Sequence, residues 1–311
     1  MKKPLIIVIF VAAVVSGLAL GIFGYLLYKK ENFASEFLSY YSGVRKEIAA
    51  QPESDAPPAP AGGVRVPILV YHSVRPSIVG QTPIQRELEV EPAVFDRELS
   101  YLKEQGYTVI ALDPLVDHLT KGTLLPSKPV VLTFDDGWEN QYENALPILE
   151  KHGVTATFFV YTNALGHKHF MTWEQIKNLD ARGMTIGAHT KTHPYLPKLA
   201  DPARLRDEII GSKKALEQFL GKKVRLFAYP FGHYNEQIIA IVKEAGFAAA
   251  RSTYVGAVHT KSDLYTLRSI EVSPDFDPIL EPPTTASGAQ EGEAGNEVFD
   301  GLAIGENAGH T

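Results

Sequence analysis

Hydrophobic and polar positions divide the chain into stretches of different grammar. Residues 5–28 are apolar apart from Ser16 and small glycines, and lysine pairs bracket the run. That is long enough to cross a bilayer as one helix. No small-residue cleavage site follows it, so an uncleaved transmembrane anchor over residues 1–30 is expected. Residues 31–50 fit a short amphipathic stalk with Phe33, Phe37, Tyr40 and Tyr41 on one side, and residues 51–63 are a Pro/Ala/Gly-rich linker. Residues 64–275 then alternate strand-like and helix-like patterns. Residues 276–311 turn acidic, with scarce large apolar side chains, and are expected to form a disordered tail.

Within the alternating stretch the elements follow in order. Val66, Ile68, Leu69 and Val70 predict a strand ending at Tyr71-His72. Phe95, Leu99 and Leu102 recur at helical spacing over residues 92–105, which stop at Gly106, and residues 107–110 are strand-like. Asp113 is placed to cap a helix reaching His118. Val130-Val131-Leu132-Thr133-Phe134 predicts a strand buried on both faces, followed by a helix over 139–152 distorted at Pro147. Further strands are expected over 155–161, near 184–188, 224–229, 247–250 and 265–272. The helices between them start at Thr172, Pro202 and Glu236, and Leu205, Ile209, Leu216 and Phe219 give the second of these a stripe for ordinary core packing. Repeated strand-helix units predict a parallel α/β sheet, and the pattern fits a barrel and a doubly wound sheet equally.

Composition adds three constraints. The 311 residues carry a net charge of −6, part of it from the tail, and no basic face argues for nucleic acid. There is no cysteine, which is compatible with either side of a membrane. Lysine pairs flank both ends of the apolar run, so the positive-inside comparison nearly cancels.

The chemistry concentrates where strands end. Asp135-Asp136-Gly137 follows the most apolar strand, and adjacent carboxylates repel unless a cation lies beside them. His189 and His193 follow another strand four positions apart, on one face if the segment turns as a helix. One acid and two imidazoles form a metal-ligand set with an open position, so Asp136, His189 and His193 are expected to bind a divalent ion and leave Asp135 as a base. Zinc suits this set; nickel and cobalt bind similar ones. His72 on its own reads more readily as a satisfied structural residue than as a catalyst.

Thr133-Phe134-Asp135-Asp136-Gly137 followed by His189-Thr190-Lys191-Thr192-His193 resembles the first two motifs of the polysaccharide deacetylases, the NodB-homology group of carbohydrate esterases. The likeness spans roughly residues 64–275. It implies a distorted (β/α) barrel of about seven units, and an N-acetylated glycan outside the cell as substrate. Tyr229-Pro230-Phe231-Gly232 resembles the third motif, a turn lining the groove, with the Phe231 N–H as oxyanion donor. The opening resembles the branch that deacetylates extracellular poly-N-acetylglucosamine. There a histidine after the first strand takes the general-acid place that other members fill from a C-terminal Leu-x-His; here that later strand reads Leu267-Arg268-Ser269, so His72 fills the vacancy.

One departure stands out. The arginine that in the family often pairs with the base is replaced by Ala228, and Arg268 is expected to supply the charge. The implied reaction is metal-assisted amide hydrolysis, with Asp135 as base and His72 as acid. Its rivals are another esterase or N-deacetylase on the same scaffold, acting on peptidoglycan, chitin oligomers or O-acetylated xylan, and a membrane-tethered glycan-binding module.

Overall fold

The computed structural model describes residues 63–77 and 86–272. The expected anchor, stalk, most of the linker and the acidic tail lie outside them. Among the described residues no helix is long and apolar enough to cross a membrane.

The strands are β1 (Val64–Arg65), β2 (Ile68–Tyr71), β3 (Ser73–Val74), β4 (Glu89–Val90), β5 (Thr108–Ile110), β6 (Pro129–Phe134), β7 (Thr157–Val160), β8 (Thr185–Ala188), β9 (Leu226–Ala228), β10 (Ala249–Val255), β11 (Val258–His259) and β12 (Leu267–Glu271). Parallel pairing runs β2-β12-β10-β9-β8-β7-β6, and β6 pairs back onto β2. The result is a closed seven-stranded barrel, with β5 added alongside the first half of β6. The choice that strand patterning left open thus falls to the barrel, with one strand fewer than the usual eight.

Alternation along each strand fills two cores. Ile68, Val131, Phe159, Leu226, Ala249 and Leu267 pack together as the barrel interior. Their neighbours Leu69, Leu132, Phe158, Phe227 and Ala250 join Phe95, Leu146, Leu179, Leu216 and Val242 in the layer between barrel and helices. The interior is tight enough to require a glycine: a Cβ on Gly187 would lie 2.4 Å from the Phe159 ring. Leu112, Leu115 and Val116, from the helix Leu112–Lys121, also enter the interior cluster. The Leu112 N–H is bonded to Thr157 Oγ1 at the start of β7, so this helix closes the end where the strands begin. The opposite end is left for chemistry.

Three helices differ in detail from expectation. Asp113 lies in the first turn of its helix, which is capped from Ala111. The segment after the acid pair is π-helical over Gln141–Ala145 before the α-helix Leu146–His152, so the distortion precedes Pro147. The helix beginning at Pro202 is interrupted by a π-turn over Asp207–Gly211. The Thr172 start is a full capping box with Gln175, as its sequence implied.

Candidate active site

β6 delivers the acids. Its ladder with β2 ends at Tyr71↔Phe134, and the next residues, Asp135 and Asp136, are both buried. Asp136 and Gly137 take left-handed φ of 74° and 79°, turning the chain so that the two carboxylates do not alternate across the sheet. Trp138 stacks on Phe170 with ring centroids 4.3 Å apart, and its Nε1–H donates to Asp136 Oδ2 at 3.1 Å. Asp136 Oδ1 is buried and accepts no hydrogen bond among the described residues.

The histidines come from β8 and the loop after it. The loop is not a helical turn: Thr190 and His193 have φ of 69° and 56°, and the His193 N–H donates to Thr190 Oγ1 at 3.0 Å. Left-handed geometry is strained for a β-branched residue, so something must hold it. Glu208, buried in the π-turn Asp207–Gly211, does so. Its Oε2 accepts the N–H groups of Lys191 and Thr192 at 2.9 and 2.8 Å, and its Oε1 accepts the Thr192 hydroxyl at 2.5 Å.

Three donor atoms then converge. His189 Nε2 and His193 Nε2 are 3.1 Å apart, and they lie 3.7 and 3.4 Å from Asp136 Oδ1. Ligands about 2.0–2.1 Å from a tetrahedral ion sit about 3.3 Å from one another, so these separations fit a metal. The tautomer also fits, because the Ala228 carbonyl, 2.8 Å from His189 Nδ1, accepts the Nδ1–H and so leaves Nε2 as the unprotonated nitrogen, the one near His193 Nε2 and Asp136 Oδ1. Burial lowers the pKa of His189 to about 4 and that of His193 well below the usual imidazole range, so both rings are neutral, the form that binds metal. Burial and the adjacent Asp135 charge push the Asp136 carboxyl well above its ordinary range. Without a cation that carboxyl keeps its proton; a metal ion between it and the two neutral nitrogens is what favours the carboxylate.

Asp135 is treated oppositely. Burial alone would raise its pKa, but the Arg251 guanidinium, through its charge and its hydrogen bond, outweighs it and holds the carboxyl below its usual range. Arg251, from β10, donates from Nη2 to Asp135 Oδ2 and sits 5.4 Å over the Phe159 ring, fully buried. This corrects the expectation for Arg268, whose Nη1 donates instead to the Val255 carbonyl at 3.0 Å. Residue 228 is vacant of charge because the guanidinium arrives from the neighbouring strand, where Arg251 is the register partner of Ala228.

His72 follows β2 at the same rim, buried, and acts electrostatically on Asp135, His189 and His193. Pro230, Phe231 and Gly232 form a tight turn after β9; Phe231 has φ 59°, and its ring lies 4.7 Å from that of His193. Gly232 admits no side chain, since a Cβ would meet Thr253 Oγ1 at 1.9 Å. Tyr229 precedes the turn, with its hydroxyl donating to the Tyr265 carbonyl at 2.9 Å and its ring packed against Phe227 and Tyr234. The structure therefore joins Asp135, Asp136, His189, His193, His72 and the Phe231 turn at one rim. It adds Arg251 and Glu208, which the sequence reading missed. Arg251 had a signal, a lone charge closing the apolar run 247–250; Glu208 had none beyond interrupting a helix stripe.

A metal-ligand trio beside a separate ionised acid, at the C-terminal rim of a parallel barrel, is the equipment of a hydrolase. A family model described as polysaccharide deacetylase matches residues 124–250. YxkH of Bacillus subtilis (strain 168), a polysaccharide deacetylase by name, is 31% identical over 210 residues, which span 68% of this chain and 72% of that protein. The poly-beta-1,6-N-acetyl-D-glucosamine N-deacetylase of Staphylococcus aureus (strain MSSA476) is 27% identical over 203 residues, 61% of this chain and 70% of that one. Among solved structures, the Streptococcus pyogenes deacetylase PplD in complex with acetate superposes with a TM-score of 0.63 at 30% identity, covering 68% of this chain and 94% of that one. IcaB from Ammonifex degensii gives 0.62 at 27%, covering 69% and 94%. The chain belongs to the polysaccharide deacetylase family.

Proposed function

We propose that this polysaccharide deacetylase is metal-dependent and removes N-acetyl groups from a poly-N-acetylglucosamine-like polymer outside the cell, tethered there by residues 1–30. The observation that carries the reading is the convergence of Asp136, His189 and His193 within 4.8 Å of one another, with Asp135 beside them but paired to Arg251. These three residues hold the divalent ion, and the two-imidazole, one-carboxylate set suits zinc, with nickel or cobalt as alternatives. When bound, such an ion supplies Lewis-acid polarisation and an acidified water.

The chain's own groups do the rest. Asp135, kept ionised by Arg251, takes the proton of the attacking water. The Phe231 N–H, in the turn after β9, donates to the oxygen on which charge develops. His72 gives a proton to the departing amine, so the glycan leaves with a free amino group and acetate is the other product. The activity for which the S. aureus relative is named, and the position of His72 after the first barrel strand, support the β-1,6-linked polymer as substrate. The apolar run 5–28 and the linker after it support the tether.

Acetate release across a panel of β-1,6-linked, β-1,4-linked and peptidoglycan N-acetylated substrates and O-acetylated xylan tests this. The expected result is release from the β-1,6-linked oligomers, abolished by chelation and restored by zinc. Release from none of the panel with any divalent metal, while glycan binding persists, would make the chain a binding module. Metal analysis of the untreated protein identifies the ion.

A further inference from the structure

The last ladder pair between β2 and β6 is Tyr71↔Phe134, and His72 and Asp135 are the next residue on each strand. The candidate acid and base therefore stand side by side one step beyond the point where sheet hydrogen bonds fix the spacing. The Asp135 N–H bonds across, to the Tyr71 carbonyl at 2.9 Å. A second tie between the two backbones lies one step further on.

The π-turn Gln141–Ala145 supplies it. Gln141 is fully buried, and its Nε2 donates to the His72 carbonyl at 2.5 Å and to the Asp135 carbonyl. The amide has one orientation, because the reverse would set its oxygen against two carbonyl oxygens. Two half-buried asparagines on the same turn grip the next residues. The Val74 N–H donates to Asn140 Oδ1 at 3.0 Å, Asn140 Nδ2 donates to Ser73 Oγ at 3.0 Å, and Asn144 Nδ2 donates to the Val74 carbonyl at 2.8 Å. Residues 73–74 pair with β4 as β3, and the three amide side chains tie residues 72–74 to the turn after the acid motif, one of them to Asp135 itself.

We infer that Asn140, Gln141 and Asn144 form an amide clamp that sets the distance between His72 and Asp135, with Gln141 as a positioning residue for proton transfer. The inference rests on the proposed role of His72 as general acid. Both hydrogens of the Gln141 amide are committed, one to each backbone, so its loss removes a direct tie between the acid-bearing and base-bearing segments while removing no contact of Asp136, His189 or His193. Proton transfer is sensitive to such displacement: about 1 Å of misplacement can cost on the order of a hundredfold.

The test is a double-mutant cycle on the zinc-loaded protein, with Gln141→Leu, His72→Ala and the pair, read as kcat, KM and zinc affinity on a β-1,6-linked N-acetylglucosamine oligomer. Gln141→Leu should lower kcat roughly ten- to a hundredfold with KM and zinc affinity unchanged. In the His72→Ala background it should cost less than about twofold, since there is no acid left to position. An equal loss with and without His72 would overturn the clamp. Unchanged kcat in His72→Ala alone would overturn the general-acid reading on which it rests, and the two failures are told apart by His72→Ala itself, which is silent in the second and costly in the first. If Gln141→Leu does not fold, Asn144→Ala and Asn140→Ala, at half-buried positions, carry the same cycle. Their kcat losses should likewise vanish without His72.

Discussion

At the scale of single residues, the site assigns opposite states to two adjacent acids through their neighbours. Asp136 faces two neutral imidazoles, whereas Asp135 faces a guanidinium that is buried with it. Asp135→Asn should therefore still take up zinc in a chelator-competition titration but release acetate on the order of a hundred- to ten-thousandfold more slowly. Near-normal turnover would remove Asp135 from the base role. Arg251 gives a second expectation, with a definite sign. Its charge lowers the Asp135 pKa, so Arg251→Gln lets the carboxyl rise. The base works ionised; the acid limb of the pH–rate profile then moves to higher pH, with activity falling about tenfold for each unit that the raised pKa lies above the assay pH. Arg251→Lys keeps a cation and should hold most of the limb in place. No such movement is expected for Arg268→Gln, because the Arg268 guanidinium bonds the Val255 carbonyl.

At the scale of elements, strand ends present the chemistry and irregular turns hold it. Four non-glycine residues at the site, Asp136, Thr190, His193 and Phe231, carry positive φ, and two π-turns supply Gln141 and Glu208. Glu208→Ala would remove both the oxygen that accepts two loop N–H groups and the one that accepts the Thr192 hydroxyl. The His189–His193 loop should relax and zinc affinity fall about 10- to 100-fold, measured by chelator competition with the fold checked by circular dichroism. An unchanged affinity would mean that the barrel alone fixes the loop. Asp135-Asp136 and His189…His193 were legible in the sequence because each pair is local and follows an apolar run that can only be a buried strand. Arg251 was not, since its partner lies 116 positions away and strand order, which periodicity does not encode, brings them together. The same limit placed the missing charge on Arg268: β12 and β10 are ladder neighbours, and only the register at the rim distinguishes them. The histidine loop was misread as a helical turn because spacing by four is shared by helices and by loops with two left-handed residues.

For the whole molecule, the barrel closes through β2–β6, and the chain just before β2 is fastened by β1 to β11. At that seam His259 is fully buried, with Nε2 2.9 Å from the Val66 carbonyl. The Nε2–H donates there in either protonation state and by itself favours the charged ring, but burial outweighs it and lowers the pKa to about 4 from an ordinary 6.5. The sign follows from linkage: between those values the unfolded chain binds a proton that the folded one refuses, so stability rises with pH across that window and is lost as pH falls through it. A shift of this size corresponds to roughly 3 kcal/mol between neutral pH and pH 4. His259→Gln retains a donor for Val66 but does not titrate. Urea unfolding midpoints followed from pH 7 to 4.5 should therefore fall less steeply in His259→Gln than in the parent, with the two curves converging toward neutrality apart from a constant offset. The metal-site imidazoles titrate in both proteins and cancel in that comparison. Parallel acid arms would show that His259 is already protonated in the native seam, with the proton on Nδ1 accepted by a group that does not face it in this structure.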